Sequence, residues 1–167
     1  MLIYLDFGDE QRYFRQHSLN SDVFTIDDLF KCYFQVETIE NYKCSKCYQT
    51  STVSKRQFLV SNPKILLVYI KRFNFFGTTS QKLNTKIKAS NFLRLETSNL
   101  INDTGDYDLN SFVNHKGQIN SGHYIATIHK NDNWLTISDD KGSIDSIEEL
   151  SNKGSSEVYL MAYVKRS

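Results

Sequence analysis

Proline occurs once and glycine seven times in the 167-residue chain. That scarcity leaves no flexible or proline-stiffened linker along which to divide it, and no internal repeat is visible. An excess of one charge is lacking too. Lysine and arginine number 20 against 19 Asp and Glu, a formal net charge of +1, so nothing draws nucleic acid or an anionic lipid surface. The three cysteines are odd in number and have no disulfide-like spacing, which suits a reducing compartment, the cytoplasm and/or the nucleus. The longest apolar run, "ILLVYI" at 65–70, falls far short of the roughly 20 residues that cross a bilayer. The opening "MLIYLDFGDE" reaches an acidic residue after five positions, too early for a signal peptide. The expectation is a soluble intracellular domain with neither a nucleic-acid nor a membrane partner.

What is present suits a single globular domain. A chain of this length buries roughly 70% of the surface its unfolded form exposes. Its 40% apolar residues, with 11 Phe and 10 Tyr, can build a core without metal or disulfide staples. Strand periodicity dominates. "LIYLDF" reads as a strand, and "SNPKILLVYIKRFNF" as a buried strand entered through Pro63, with Lys71–Arg72 as its solvated far end. "YDLNSFVNH", "HYIATIHK", "NWLTIS" and "EVYLMAYVKR" supply four more. "TIDDLFKCYF" sets Ile26, Leu29, Phe30 and Tyr33 on one helical face, with Thr25 as N-cap and Asp27 and Asp28 in the first turn. A short helix, "SIEELS", is predicted before the last strand. The fold class is α+β, mainly antiparallel sheet.

The hairpin "GHYIATIHKNDNWLTIS" carries the sharpest signal. Its turn, "KNDN", has the Asn and Asp that a tight hairpin demands. Tyr124, Ala126 and Ile128 share one face of the first strand, and Leu135 and Ile137 share one face of the second. Matching apolar to apolar leaves two registers, with Ala126 opposite either Leu135 or Ile137. Both put Ser138 on the face of His123. In the first register the two are directly opposed, with Cβ atoms about 4.5–5.5 Å apart; in the second they are diagonal neighbours. The intermediate register would bring Asp139 opposite His123 but would set polar side chains against the apolar face. A histidine beside a polar partner is often structural. The pair is also the base-and-orienter portion of a nucleophilic site.

The residues around that pair resemble a known family. "GQINSGHYIATI", then "NWLTISDD", then "EVYLMAYVKR" is similar to the histidine box and C-terminal strand of the ubiquitin-specific proteases. Upstream, "SLNSDVFTIDDLFKCYFQVETIENYKCSKC" resembles the family segment leading into a zinc-knuckle pair, and "NPKILLVYIKRFNF" with "QKLNTKIKASNFLRL" resembles the strand and crossover that follow it. The resemblance covers almost the whole chain, in order. It implies a papain-like cysteine protease palm and fingers without the thumb, with 1–60 finger-like and holding a zinc-knuckle remnant, and 61–167 palm. It also implies that ubiquitin and ubiquitinated proteins are the partners and that no cofactor is needed for catalysis.

Carried over residue by residue, the resemblance makes His123 the catalytic histidine and Ser138 its orienter, at a position where most relatives carry Asp or Asn. Asp139 matches a supporting acidic position, and would act as orienter if the strand bulged; the start of a "DDKG" turn is the alternative. Gly122 and Tyr124 flank the histidine as substrate-binding candidates, with core packing an equal reading for Tyr124. Trp134 is expected in the core. Stretches 114–121 and 74–81 would be loops beside the channel for ubiquitin's tail. Gly117 and Gly122 suit a mobile loop and close backbone approach.

Two departures from the family stand out. Its Asn-Thr-Cys nucleophile segment is missing, and Cys32, inside a predicted helix between Lys31 and Tyr33, reads as a core cysteine. Cys44 and Cys47 have zinc-knuckle spacing and read either as a plain tight turn or as half a zinc site, so a structural zinc is expected only if a second cysteine pair is supplied; His17 and Cys32 lack ligand-like spacing. Three functions stay open. The chain is the C-terminal part of a deubiquitinase, acting with an N-terminal half that carries the nucleophile and inert alone. Alternatively it is a noncatalytic ubiquitin-binding pseudoprotease, or a zinc-ribbon-like binding module. Without a thumb, the palm's inner apolar surface would be exposed.

Overall fold

The computed structural model describes residues 1–6, 23–76, 79–96, 104–145 and 154–166. The segment "SIEELS" and His17 lie outside them. The order is β1 (Leu2–Asp6), β2 (Val23–Thr25), α1 (Ile26–Phe34), β3 (Val36–Lys43), β4 (Thr50–Arg56), β5 (Ile65–Lys71), β6 (Phe73–Phe76), β7 (Thr79–Lys82), β8 (Lys86–Lys88), β9 (Phe92–Glu96), β10 (Thr104–Gln118), β11 (Ser121–Lys130), β12 (Asn133–Ser138), β13 (Lys141–Asp145) and β14 (Val158–Lys165). Seven strands run side by side in the main sheet as β1-β5-β14-β10-β11-β12-β13, and β9 joins as an eighth beside β10. Only the β1–β5 pairing is parallel in this sheet. The fold is therefore α+β and mainly antiparallel, as its strand-rich sequence implies.

Local chemistry explains the elements. Thr25 caps α1 reciprocally with Asp28: the Asp28 amide donates to Thr25 Oγ1 at 3.1 Å, and the Thr25 amide donates to the Asp28 carboxylate at 3.1 Å. A cap of this kind is worth about 0.5–2 kcal/mol. The helix buries Ile26, Leu29, Phe30 and Cys32. Alternation in β5 sends Leu66, Val68 and Ile70 to the same core, where they meet Ile3, Leu5, Phe112, Met161 and Tyr163. Cys32 is thus a core side chain, and Trp134 packs against this core with its ring 5.9 Å from that of Phe112.

Much of the other face of the sheet is open. Leu2, Tyr4, Ile65, Tyr124, Ile137, Ile144 and Val164 are all exposed, Ile144 by 74%. Register places them together, with Tyr4 opposite Tyr69, Ile65 opposite Val164, Ala126 opposite Ile137 and Leu135 opposite Ile144. Tyr124, Ala126 and Ile128 belong to this face, so their apolar character does not mark the core side of the hairpin. The buried position of β11 is Thr127, whose hydroxyl lies 2.8 Å from that of Thr136. Two partnered hydroxyls cost little to bury.

The Lys71–Arg72 pair also departs from expectation. Lys71 is exposed, whereas Arg72 is fully buried. Its Nε donates to the carbonyl of Val158, Nη1 to those of Leu83 (3.0 Å) and Thr85 (2.9 Å), and Nη2 to that of Ser155 (2.9 Å). Burial pulls the guanidinium pKa down to about 10, and the Glu157 carboxylate opposes that shift. A guanidinium can be buried here because carbonyls accept from all three of its nitrogens.

Candidate active site

The hairpin β11–β12 turns at Asn131 and Asp132, both left-handed with φ of 48° and 61°, the geometry of a two-residue hairpin loop. Ala126 lies opposite Ile137 and Ile128 opposite Leu135, the second of the two registers. His123 and Ser138 are therefore diagonal, and His123 Nε2 lies 2.8 Å from Ser138 Oγ. Asp139 follows with φ of 52° and opens the turn into β13. Its carboxylate comes within 3.8 Å of the same nitrogen. Ser138 pairs with Lys141 without a register shift, so Asp139 reaches the ring from a turn and not through a bulge. With Nε2 engaged, Nδ1 is the imidazole nitrogen left to exchange a proton, and the His123 side chain is 43% exposed.

The flanking residues are ordered by strands. Residues 114–118 continue β10, and a two-residue turn at Ile119 and Asn120 leads into β11. This hairpin replaces the expected loop at 114–121. Residues 74–76 and 79–81 likewise belong to paired strands, β6 and β7, with Phe73 opposite Lys82 and Phe76 opposite Thr79. Gly117 and Gly122 face one another across β10 and β11. Gly117 has φ of 117°, and a Cβ there would meet the Ser121 carbonyl at 2.6 Å. A Cβ on Gly122 would collide with the His115 ring and would come within 2.7 Å of the Lys116 carbonyl. The glycines thus serve close approach between paired strands.

Tyr124 is 54% exposed and so is not core. Its ring lies 4.7 Å from that of His115 and 5.7 Å from that of Tyr159, whose hydroxyl meets that of Tyr69 at 2.7 Å. Burial pushes the Tyr159 phenol up to about 12, helped by its hydrogen bond to Tyr69. His115 is a second histidine beside the site, one the sequence pattern did not single out. It is buried, its Nδ1 has no hydrogen-bond partner among the described residues, and burial lowers its pKa.

Cys44 and Cys47 sit at the turn between β3 and β4, a two-stranded sheet set apart from the main one. The Tyr48 amide donates to the Cys44 carbonyl and the Cys44 amide to that of Gln49, both at 2.9 Å. Backbone hydrogen bonds from Cys47 and then Lys46 lower the Cys44 thiol pKa. That favours a thiolate, but no group of three or more His, Cys, Asp or Glu able to hold a metal occurs among the described residues. Two thiols do not close a tetrahedral zinc site.

Comparison with known proteins supplies the class to which this sheet, helix and histidine–serine pair belong. The family model described as Ubiquitin carboxyl-terminal hydrolase matches residues 10–163, and the chain belongs to that family. It is 33% identical over 139 residues to Ubiquitin carboxyl-terminal hydrolase 10 of Saccharomyces cerevisiae, covering 76% of this chain and 17% of that protein. It is 31% identical over 145 residues to Ubiquitin hydrolase B of Dictyostelium discoideum, covering 85% of this chain and 32% of that protein. A solved structure of the yeast SAGA DUBm superposes with a TM-score of 0.78 at 25% identity, covering 99% of this chain and 35% of that one. A SAGA DUB module containing Ubp8, Sgf11, Sus1 and Sgf73, bound to monoubiquitin, gives a TM-score of 0.76 at 25% identity, covering 99% and 35%. The chain spans at most about a third of the length of these relatives. No helix among the described residues is long and apolar enough to cross a membrane.

Proposed function

We propose that this chain supplies the general base and its orienter to a cysteine-type deubiquitinase that hydrolyses the peptide or isopeptide bond after ubiquitin's C-terminal glycine. The observation carrying this reading is the 2.8 Å contact between His123 Nε2 and Ser138 Oγ at the end of a hairpin. The thiolate comes from sequence other than residues 1–167: Cys32 is buried in the core and Cys44 and Cys47 lie in the separate β3–β4 sheet. His123 Nδ1 removes the thiol proton. The thiolate attacks the carbonyl carbon of the terminal glycine, and the tetrahedral oxyanion collapses to a thioester as the imidazolium gives that proton to the departing amine. His123 then deprotonates a water, which cleaves the thioester and releases ubiquitin and thiol.

Ser138 holds the ring through Nε2. As a neutral group it stabilises the imidazolium less than a carboxylate would, and Asp139 at 3.8 Å supplies negative charge beside the same nitrogen. Gly122 and Tyr124 border the path of the ubiquitin tail. No cofactor enters the reaction, and a structural zinc forms at Cys44 and Cys47 only with a second cysteine pair. The enzyme works in the cytoplasm or nucleus on ubiquitinated proteins. Neither the near-neutral charge nor the two-thiol knuckle lends support to a zinc-ribbon module.

The test combines this chain with a nucleophile-bearing segment of a relative such as Ubiquitin hydrolase B and measures hydrolysis of a ubiquitin C-terminal fluorogenic amide. Turnover that vanishes in His123→Ala is expected, with none from the chain alone. Ubiquitin binding without turnover would favour a noncatalytic pseudoprotease. Neither binding nor turnover would overturn the reading.

A further inference from the structure

Strand β14 stops pairing with β10 at Val158–Asn114, yet β10 runs on to Gln118 with β11 on its other edge. Among the described residues, no strand continues the ladder along that edge beyond Asn114. There the His115 amide still donates to the Glu157 carbonyl, at 2.8 Å. In an extended strand the N–H and C=O of one residue point to the same side, as do those two residues on. The carbonyls of His115 and Gly117 therefore face the vacated side, and a single ammonium meets both: Lys82 Nζ donates to His115 O at 2.7 Å and to Gly117 O at 2.9 Å.

Lys82 is the last residue of β7, and Arg72, by holding the carbonyls of Leu83 and Thr85, anchors the chain that follows. The tethered strand end bears on the site. The His115 side chain lies over Gly122, in the space a Cβ would fill, with Phe73 at 5.6 Å and Tyr124 at 4.7 Å between ring centroids. Gly122 immediately precedes His123, and Lys116, between the two tethered carbonyls, is the cross-strand partner of His123.

We propose that Lys82 is a positioning residue for His123, replacing the hydrogen bonds that β14 ceases to supply and so holding the β10–β11 tip in the register that aims the imidazole at Ser138. This rests on the proposed role of His123 in hydrolysis, but its geometric content is separable from that role. Lys82 touches neither reacting atom and acts through β10 and the His115–Gly122 contact.

The experiment is long-range proton–nitrogen NMR of the histidine rings in this chain, with amide hydrogen exchange at 116–123. In Lys82→Met the His123 Nε2 signal is expected to move toward that of Ser138→Ala, and amides at the tip to exchange about tenfold faster. Amides of Leu66 and Tyr163 in the core should keep their protection. Lys82→Arg, which restores a cation with several donors, should recover both signatures. A Lys82→Met variant with wild-type His123 signal and tip protection would overturn the proposal, as would Lys82→Arg behaving like Lys82→Met. If Lys82→Met loses core protection as well, Lys82→Ala decides in its place: a wild-type tip refutes the proposal and a selectively loosened one supports it. Because no ubiquitin is present, these outcomes do not depend on whether the chain takes part in hydrolysis.

Discussion

Replacing Arg72 with methionine should destabilise the chain strongly, although Arg72 lies outside its apolar core. Methionine has similar length and suits the apolar surroundings, so the change removes donors with little loss of volume. Four backbone carbonyls, of Leu83, Thr85, Ser155 and Val158, lose their donor at once. Each hydrogen bond to a charged group contributes about 1.5–3 kcal/mol, and an orphaned buried acceptor retains its desolvation cost. Against this, the mutant no longer buries a cation, a relief reflected in the lowered arginine pKa. The difference is a loss of roughly 3–5 kcal/mol, which is a large part of the 5–15 kcal/mol typical of a folded domain. For a chain of this size that lowers Tm by roughly 10 °C. Urea unfolding followed by tryptophan fluorescence reads the change, since Trp134 packs on the core. Arg72→Lys, which keeps the charge but cannot span four acceptors, should fall between. A loss below about 1 kcal/mol in Arg72→Met would show that the carbonyls find other partners and would refute the clamp.

Three further outcomes follow from the same geometry. Thr127→Val leaves the Thr136 hydroxyl without its partner and should cost about 1–2 kcal/mol by urea unfolding, whereas Thr127→Val with Thr136→Val should recover most of it. Burial, and next the charge of Lys82, lower the His115 pKa below its ordinary 6.5, with Glu157 opposing. The unfolded chain therefore takes this proton first, so stability is full above 6.5 and falls as pH drops through that value; His115→Gln should flatten that part of the urea-midpoint profile. The open sheet face should drive self-association, and Tyr4→Lys combined with Ile144→Lys should reduce it in sedimentation velocity without lowering the urea midpoint.

The sequence revealed those features set by local chemistry. Thr25 with Asp28 announces the start of α1, "KNDN" fixes a two-residue turn, and parity alone brings Ser138 to the face of His123. It did not reveal which face of the hairpin is buried, because both faces carry apolar side chains: Tyr124, Ile128 and Ile137 lie on the open one, Ile125 and Trp134 on the other. Arg72 looked like Lys71 in a charged pair because the difference lies in where β5 ends and which carbonyls converge there. Those carbonyls come from residues 11 to 86 positions away. Lys82 and His115 escaped notice for a related reason. Their contacts depend on β10 running past its ladder with β14, a fact of tertiary pairing with no local pattern.

The proposed hydrolysis makes His123 the base and Ser138, aided by Asp139, its orienter. Its most direct test is kcat for a ubiquitin C-terminal amide, measured on the complex of this chain with a nucleophile-bearing segment, for His123→Ala, Ser138→Ala and Asp139→Asn. Loss of about a thousandfold or more is predicted for His123→Ala, on the order of ten- to a hundredfold for Ser138→Ala, and a smaller loss for Asp139→Asn. Turnover unchanged in His123→Ala would contradict the account outright; Asp139→Asn falling further than Ser138→Ala would transfer the orienting role to the carboxylate.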